Sequence, residues 1–213
     1  MTESEWLTCE DPDLMLPLFQ GQDRKLRLFA CACVRAVWHL LTDDRSKTAV
    51  EVAERFADGL VDEKTLNAAW NVARAAANAA VANTAANTAV YAAANAARAA
   101  ANDASVYAVH AAANASANAD GAVYATAYDA ARKQQTDLIR EIFQYPSKSI
   151  YIPQHIQTIA QAIYLDKSFS DLPILADALE DAGCQEIPLL NHLRSGDNHV
   201  MGCWALDLCK GNQ

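Results

Sequence analysis

The stretch 71–132 constrains this chain more than any other part of it. Of its 62 residues, 31 are alanine and eight are asparagine, and it contains no Leu, Ile, Phe, Met, Trp, Glu or Lys. Alanine has the highest intrinsic helix propensity, so the run predicts helix. Asparagine competes with the helical backbone for hydrogen bonds, and eight copies are tolerable only because alanine surrounds them. A helix so poor in large side chains gains little from packing, since about 0.8 kcal/mol per buried CH₂ is mostly missing. It must therefore lean on the flanking segments or on a second copy of itself.

The phase of the polar residues divides the run. Thr84, Asn87, Thr88, Tyr91, Asn95, Arg98 and Asn102 fall within an arc of roughly 100° on a regular helix. Tyr107, His110, Asn114, Asn118, Tyr128 and Arg132 share a second arc, displaced from the first by roughly 120°. Asn102-Asp103-Ala104-Ser105 sits at the slip and supplies a turn with a new N-cap. The expectation is a helical hairpin. Opposite the first arc lies a face of Ala86, Val90, Ala93, Ala97 and Ala101, small enough for two helix backbones to approach closely. That face is the candidate interaction surface. The threonines Thr84, Thr88 and Thr126 do not form the regular row that an ice-binding helix needs.

The flanks carry all of the net charge. Residues 1–70 hold eight basic and thirteen acidic residues, residues 71–132 three of each, and residues 133–213 six and ten, for a total of −9. A protein that neutralises phosphates needs a basic face, so nucleic acid is not an expected partner. An anionic membrane surface is excluded on the same ground. No run of about 18 strongly apolar residues is present to cross a bilayer. Nothing at the N-terminus reads as a secretory signal, so a cytoplasmic location is expected, with Cys9, Cys31, Cys33, Cys184, Cys203 and Cys209 as reduced thiols.

Helix signals run through both flanks. Asp23 caps an expected helix over 24–41, closed by Thr42-Asp43-Asp44. A second covers 49–56 with Gly59 as its stop, and Asp62 caps a third that enters the alanine run. Thr136 opens an expected helix over 137–144, Pro153 one over 154–165, and Asp171 with Pro173 one over 174–182, closed by Gly183. A last helix is expected over 200–208. Only 149–152 looks like a strand, and one strand makes no sheet. The fold class is all-α: a multi-helix bundle in one domain, 1–213, with Trp38 and Trp204 in a shared core. The helix over 24–41 is apolar on two sides, which places it centrally.

Few residues suggest chemistry. Cys31 and Cys33 lie two apart, about 200° around a helix, and so cannot easily share an ion. His192, His199, Cys203 and Cys209 are better placed, with His199 and Cys203 at an i, i+4 spacing that puts two zinc ligands on one face. Core packing explains the same pattern through Val200, Trp204 and Leu208. Asp177, Glu180 and Asp181 read as a solvated helix face. There is no glycine-rich phosphate loop, H-E-x-x-H or G-x-S-x-G, and the chain has only seven glycines.

Two segments carry a resemblance. Leu28-Phe29-Ala30-Cys31-Ala32-Cys33, Trp38-His39-Leu40-Leu41-Thr42-Asp43 and Ala49-Val50-Glu51-Val52-Ala53-Glu54-Arg55 form the first. The second runs Leu172-Pro173-Ile174-Leu175-Ala176-Asp177-Ala178-Leu179-Glu180-Asp181-Ala182-Gly183-Cys184, then His192-Leu193-Arg194, then His199 through Leu208. Together they resemble the two ends of a paralogous family of planctomycete (Gemmata-type) proteins without an established activity. The resemblance covers about half the chain and implies that residues 71–132 are a variable, alanine-rich spacer. Val34 stands where that family often has a third cysteine, which weakens any metal reading of Cys31 and Cys33.

The reading that follows is a non-enzymatic helical module for protein interaction or self-assembly. Its partner is expected to be itself or another cytoplasmic protein, and it requires no cofactor. The alternative is a small zinc-binding protein using His192, His199, Cys203 and Cys209.

Overall fold

A computed structural model describes residues 1–83, 110–112, 114–115, 124–144, 150–196 and 199–211. The helices are α1 (Glu3–Thr8), α2 (Pro12–Met15), α3 (Asp23–Ala36), α4 (Asp44–Ala57), α5 (Glu63–Asn83), α6 (Tyr124–Ile142), α7 (Gln154–Asp166), α8 (Leu172–Asp181), α9 (Ile187–Arg194) and α10 (Trp204–Lys210). No strand occurs among the described residues, and 150–152 has no regular structure where a strand was expected. The fold is all-α. No described helix is long and apolar enough to cross a membrane. The chain divides into two compact units, Met1–Ile139 and Arg140–Gln213.

The first unit is organised by α3. Leu28, Phe29, Ala30, Cys31, Ala32, Cys33 and Val34 are consecutive and all buried, so the helix is surrounded on every side. It packs on α4, and α4 packs on α5; Ala49, Val50 and Ala53 of α4 and Leu66, Ala73, Ala76 and Ala77 of α5 are buried. The helix is shorter than its sequence suggests: it ends at Ala36, and Trp38–Leu40 tightens into a 3₁₀ turn. Gln22, rather than Asp23, stands at its N-cap.

Side-chain capping explains the starts of α1, α2, α4 and α5. Asp43 closes nothing; it accepts a hydrogen bond from the Arg45 N–H at 2.9 Å and begins α4. Asp62 accepts from the Thr65 N–H at 2.8 Å and begins α5 as the sequence indicates. Upstream, α1 was not foreseen, although Thr2 and Glu5 form a reciprocal capping box. Trp6 packs edge-on against Phe19 with ring centres 5.4 Å apart.

Thr136 opens no helix. It lies inside α6, where its hydroxyl donates to the Lys133 carbonyl at 2.7 Å. His110 and Tyr128, placed on one helical arc by the sequence, meet at 3.1 Å. Eighteen residues along a straight helix would set them about 27 Å apart, so one helix does not carry both. The expected turn at 102–105 and the candidate face Ala86, Val90, Ala93, Ala97 and Ala101 lie outside the described residues.

The second unit has its own core. Ile156, Ala160 and Ile163 of α7, Leu172, Leu175, Ala176 and Leu179 of α8, Leu189, Leu190 and Leu193 of α9, and Trp204, Ala205, Leu206 and Cys209 of α10 form it. Trp204 thus belongs to the second unit and Trp38 to the first, not to one core. Pro153 caps α7 from just outside it, and Lys167 ends that helix in the left-handed conformation at φ 53°. The segment α9, absent from the sequence reading, supplies three buried leucines.

Candidate functional site

Within the second unit, three short-range features bring donor groups together. Glu141 lies in the last turn of α6, and His192 lies in α9 beside the inward-facing Leu189, Leu190 and Leu193. His199 and Cys203 lie before α10, where the sequence suggested helix. Gly202 adopts φ 91°, a left-handed conformation that no continuing helix contains. The Cys203 N–H instead donates to the Val200 carbonyl at 3.0 Å, closing a turn, and α10 begins only at Trp204. The turn brings His199 and Cys203 together as the i, i+4 spacing promised, by a different backbone path.

One ligand atom each from Glu141, His192, His199 and Cys203 lies within 4.8 Å of the others. His192 Nε2 is 3.3 Å from Cys203 Sγ and 3.2 Å from Glu141 Oε2. His199 Nδ1 is 2.9 Å from Glu141 Oε1 and 3.9 Å from Cys203 Sγ. The side chains are 5% exposed at His199, 14% at Glu141 and 19% at His192, and Cys203 is fully buried. Ring contacts fix the imidazoles: His192 sits 4.9 Å from Trp204 and 5.1 Å, edge-on, from His199.

The same ring nitrogen meets two partners in each histidine. A neutral imidazole nitrogen either donates one proton or offers one lone pair, so a single bond cannot serve both neighbours. An ion among the four atoms resolves the conflict, because each group then directs one lone pair to a common centre. Zinc at about 2.0–2.1 Å from N and O and about 2.3 Å from S gives tetrahedral edges of about 3.3–3.6 Å. The separations among these groups, from 2.9 to 3.9 Å with each histidine taken to its nearer Glu141 oxygen, are of that size.

A nucleophilic relay does not fit. A Cys–His–Glu relay needs thiol and carboxylate on opposite nitrogens of the imidazole. Here both face Nε2 of His192 and both face Nδ1 of His199. The thiol is also shut away from solvent.

Electrostatics agree with a place for a cation. Burial alone would raise the Glu141 carboxyl, but hydrogen bonds from His192 and His199 outweigh it and hold it at about 2. Burial, followed by the negative charge of Glu141, pushes the Cys203 thiol well above its ordinary value. A divalent ion reverses that second effect and makes the thiolate the stable form. The far nitrogen of His199, Nε2, is buried without a hydrogen-bond partner. Ligation through Nδ1 places the ring proton on that nitrogen.

Cys209, grouped with this set by sequence, stands apart from the convergent four. It lies six residues beyond Cys203, about 240° around a helix. Its thiol is buried in the core and pushed up to about 12, by burial first and then by Cys184. Glu141 takes its place. It is 58 residues from His199, beyond the reach of any local spacing rule. Cys31 and Cys33 are both buried in α3, with thiols raised chiefly by burial. Asp177 and Glu180 hold Arg194 Nη2 at 2.6 Å each, an exposed ion triplet on a solvated face. No family model, curated protein or solved structure matches the chain.

Proposed function

We propose that this protein binds one zinc ion through Glu141, His192, His199 and Cys203. The observation that carries the reading is that one nitrogen of each imidazole faces two partners, with two nitrogens, one oxygen and one sulfur converging within 4.8 Å. The donor set selects the ion. Magnesium and calcium favour all-oxygen ligands, copper(I) favours more sulfur, and two imidazoles with one thiolate and one carboxylate suit zinc. A thiolate ligand also suits the reducing cytoplasm proposed for this chain. The kinship with the planctomycete family remains part of the proposal, resting on the two flanking motif segments.

Native mass spectrometry of protein purified with reductant and without chelator tests this reading. One zinc per chain is expected, lost in Cys203→Ser and His199→Ala and kept in Cys209→Ser. Wild-type protein that carries no zinc after incubation with the ion would overturn it.

A second reading, self-assembly or binding of another cytoplasmic protein through Ala86, Val90, Ala93, Ala97 and Ala101, is supported by composition and by the small buried residues of α5. Ala73, Ala76 and Ala77 of α5 are buried, so alanine packing already operates in the described part of the run. The same mass spectra test it: a dimer or larger species should be weakened by Ala93→Leu or Ala97→Leu. A stable monomer would remove this reading and leave the first intact.

A further inference from the structure

Resting on the zinc reading, we infer that the ion is a clamp for the C-terminal helix α10, whose docking on the second core depends on metal loading, and not a catalytic centre. Four protein donors fill the four positions of a tetrahedral zinc ion, so none is left for water or substrate. Three of the donors lie in the 12 residues from His192 to Cys203, immediately before α10.

The helix itself is short. It has seven residues, well below the length at which a helix persists alone in water. Its N-cap residue, Cys203, is itself one of the four donors and directs its thiol to His192 and His199. The link from Ser195 to Cys203 has no regular helix among its described residues. Against this, α10 presents Trp204, Ala205, Leu206 and Cys209 to the core, and the His192 ring lies tilted against Trp204. An ion held by Glu141 and His192 ties the loop to two other helices, at the point where α10 starts. Without it, a short helix at the end of an irregular link is left with its core contacts and with Lys210 Nζ over the Tyr164 ring of α7, 3.1 Å from its centre.

Hydrogen exchange on the full chain tests the clamp. Metal-free protein and protein with one equivalent of zinc are compared, with stoichiometry read from the native mass of the same samples. Zinc should slow exchange in 204–210 by at least about tenfold, with a much smaller effect in α7. Cys203→Ser should abolish the difference, and Glu141→Gln, which keeps a similar shape, should reduce it. Zinc bound at one equivalent with unchanged exchange in 204–210 would overturn the clamp and leave the site standing. Equal slowing in α7 and α10 would also overturn it, since the metal would then govern the whole unit. Absence of bound zinc would overturn both the site and the clamp.

Discussion

Arg35 and Glu54 meet as a two-pronged pair between α3 and α4. Arg35 Nη2 donates to Glu54 Oε2 at 2.7 Å, and Arg35 Nε donates to the other carboxylate oxygen. The same guanidinium lies over the Trp38 ring, 4.5 Å from its centre. Glu54 is buried at the carboxylate end of the pair while Arg35 is 35% exposed.

Removing the carboxylate partner should therefore hurt. Glu54→Ala should lower stability by about 2–3 kcal/mol, less than the loss for a wholly buried pair because water reaches Arg35. Replacing both residues with apolar ones of similar size, Arg35→Met with Glu54→Leu, should cost less than the single change. Urea denaturation of the three proteins gives the comparison.

At the start of α4, Asp43 both caps the helix and binds Arg45. The Arg45 side chain, hydrogen-bonded to it, holds its carboxyl below the usual value. A depressed folded value stabilises the protein above the unfolded value, and that stability is lost as pH falls through the folded one. Asp43→Asn keeps a capping oxygen without the charge. It should be less stable than wild type at neutral pH and should match it below about pH 3, a convergence readable from thermal melts across pH.

Two neighbours on α8 should respond oppositely to truncation. Leu175 is fully buried in the second core, whereas Ile174 is 62% exposed. Leu175→Ala should cost about 3 kcal/mol, and Ile174→Ala less than about 0.5 kcal/mol. Equal losses would show that α8 does not present this face to the core.

Cobalt(II) in place of zinc supplies an optical reading of the ligand set. Wild-type protein should show the visible bands of a tetrahedral ion and the near-ultraviolet absorption of cobalt–thiolate charge transfer. Cys203→Ser should lose the charge transfer. Glu141→Gln should keep it while binding at least about tenfold more weakly, because a charged ligand becomes a neutral one. Cys209→Ser should leave both features unchanged.

The sequence shows the helical class, the Asp62 cap and the buried centre of α3, because each depends on neighbours a few residues apart. It misleads where one local signal has two meanings. Thr136 looks like a cap but bonds back inside α6, and only the surrounding chain decides between those uses. Gly202 breaks a helix that the apolar pattern of Val200, Trp204 and Leu208 otherwise supports. The short α1, α2 and α9 escape notice because tertiary burial, rather than length, sustains them. At the site, His192, His199 and Cys203 are legible from their types and spacing. Glu141 is not, since an acidic residue near the end of a long helix carries no mark of the histidines it will meet. Cys209 enters the set by chemical likeness alone, and helical phase removes it.

The placement of the cysteines has a use in measurement. Cys31 and Cys33 are sealed inside the first unit, Cys203 and Cys209 inside the second, while Cys9 and Cys184 are partly open. Alkylating reagents attack exposed thiolates, so each sealed pair reacts only when its own unit opens. A single labelling time course, read peptide by peptide, thus times two separate events. Matched rates at Cys33 and Cys209 mean one cooperative melting unit, and divergent rates mean two halves that come apart on separate clocks.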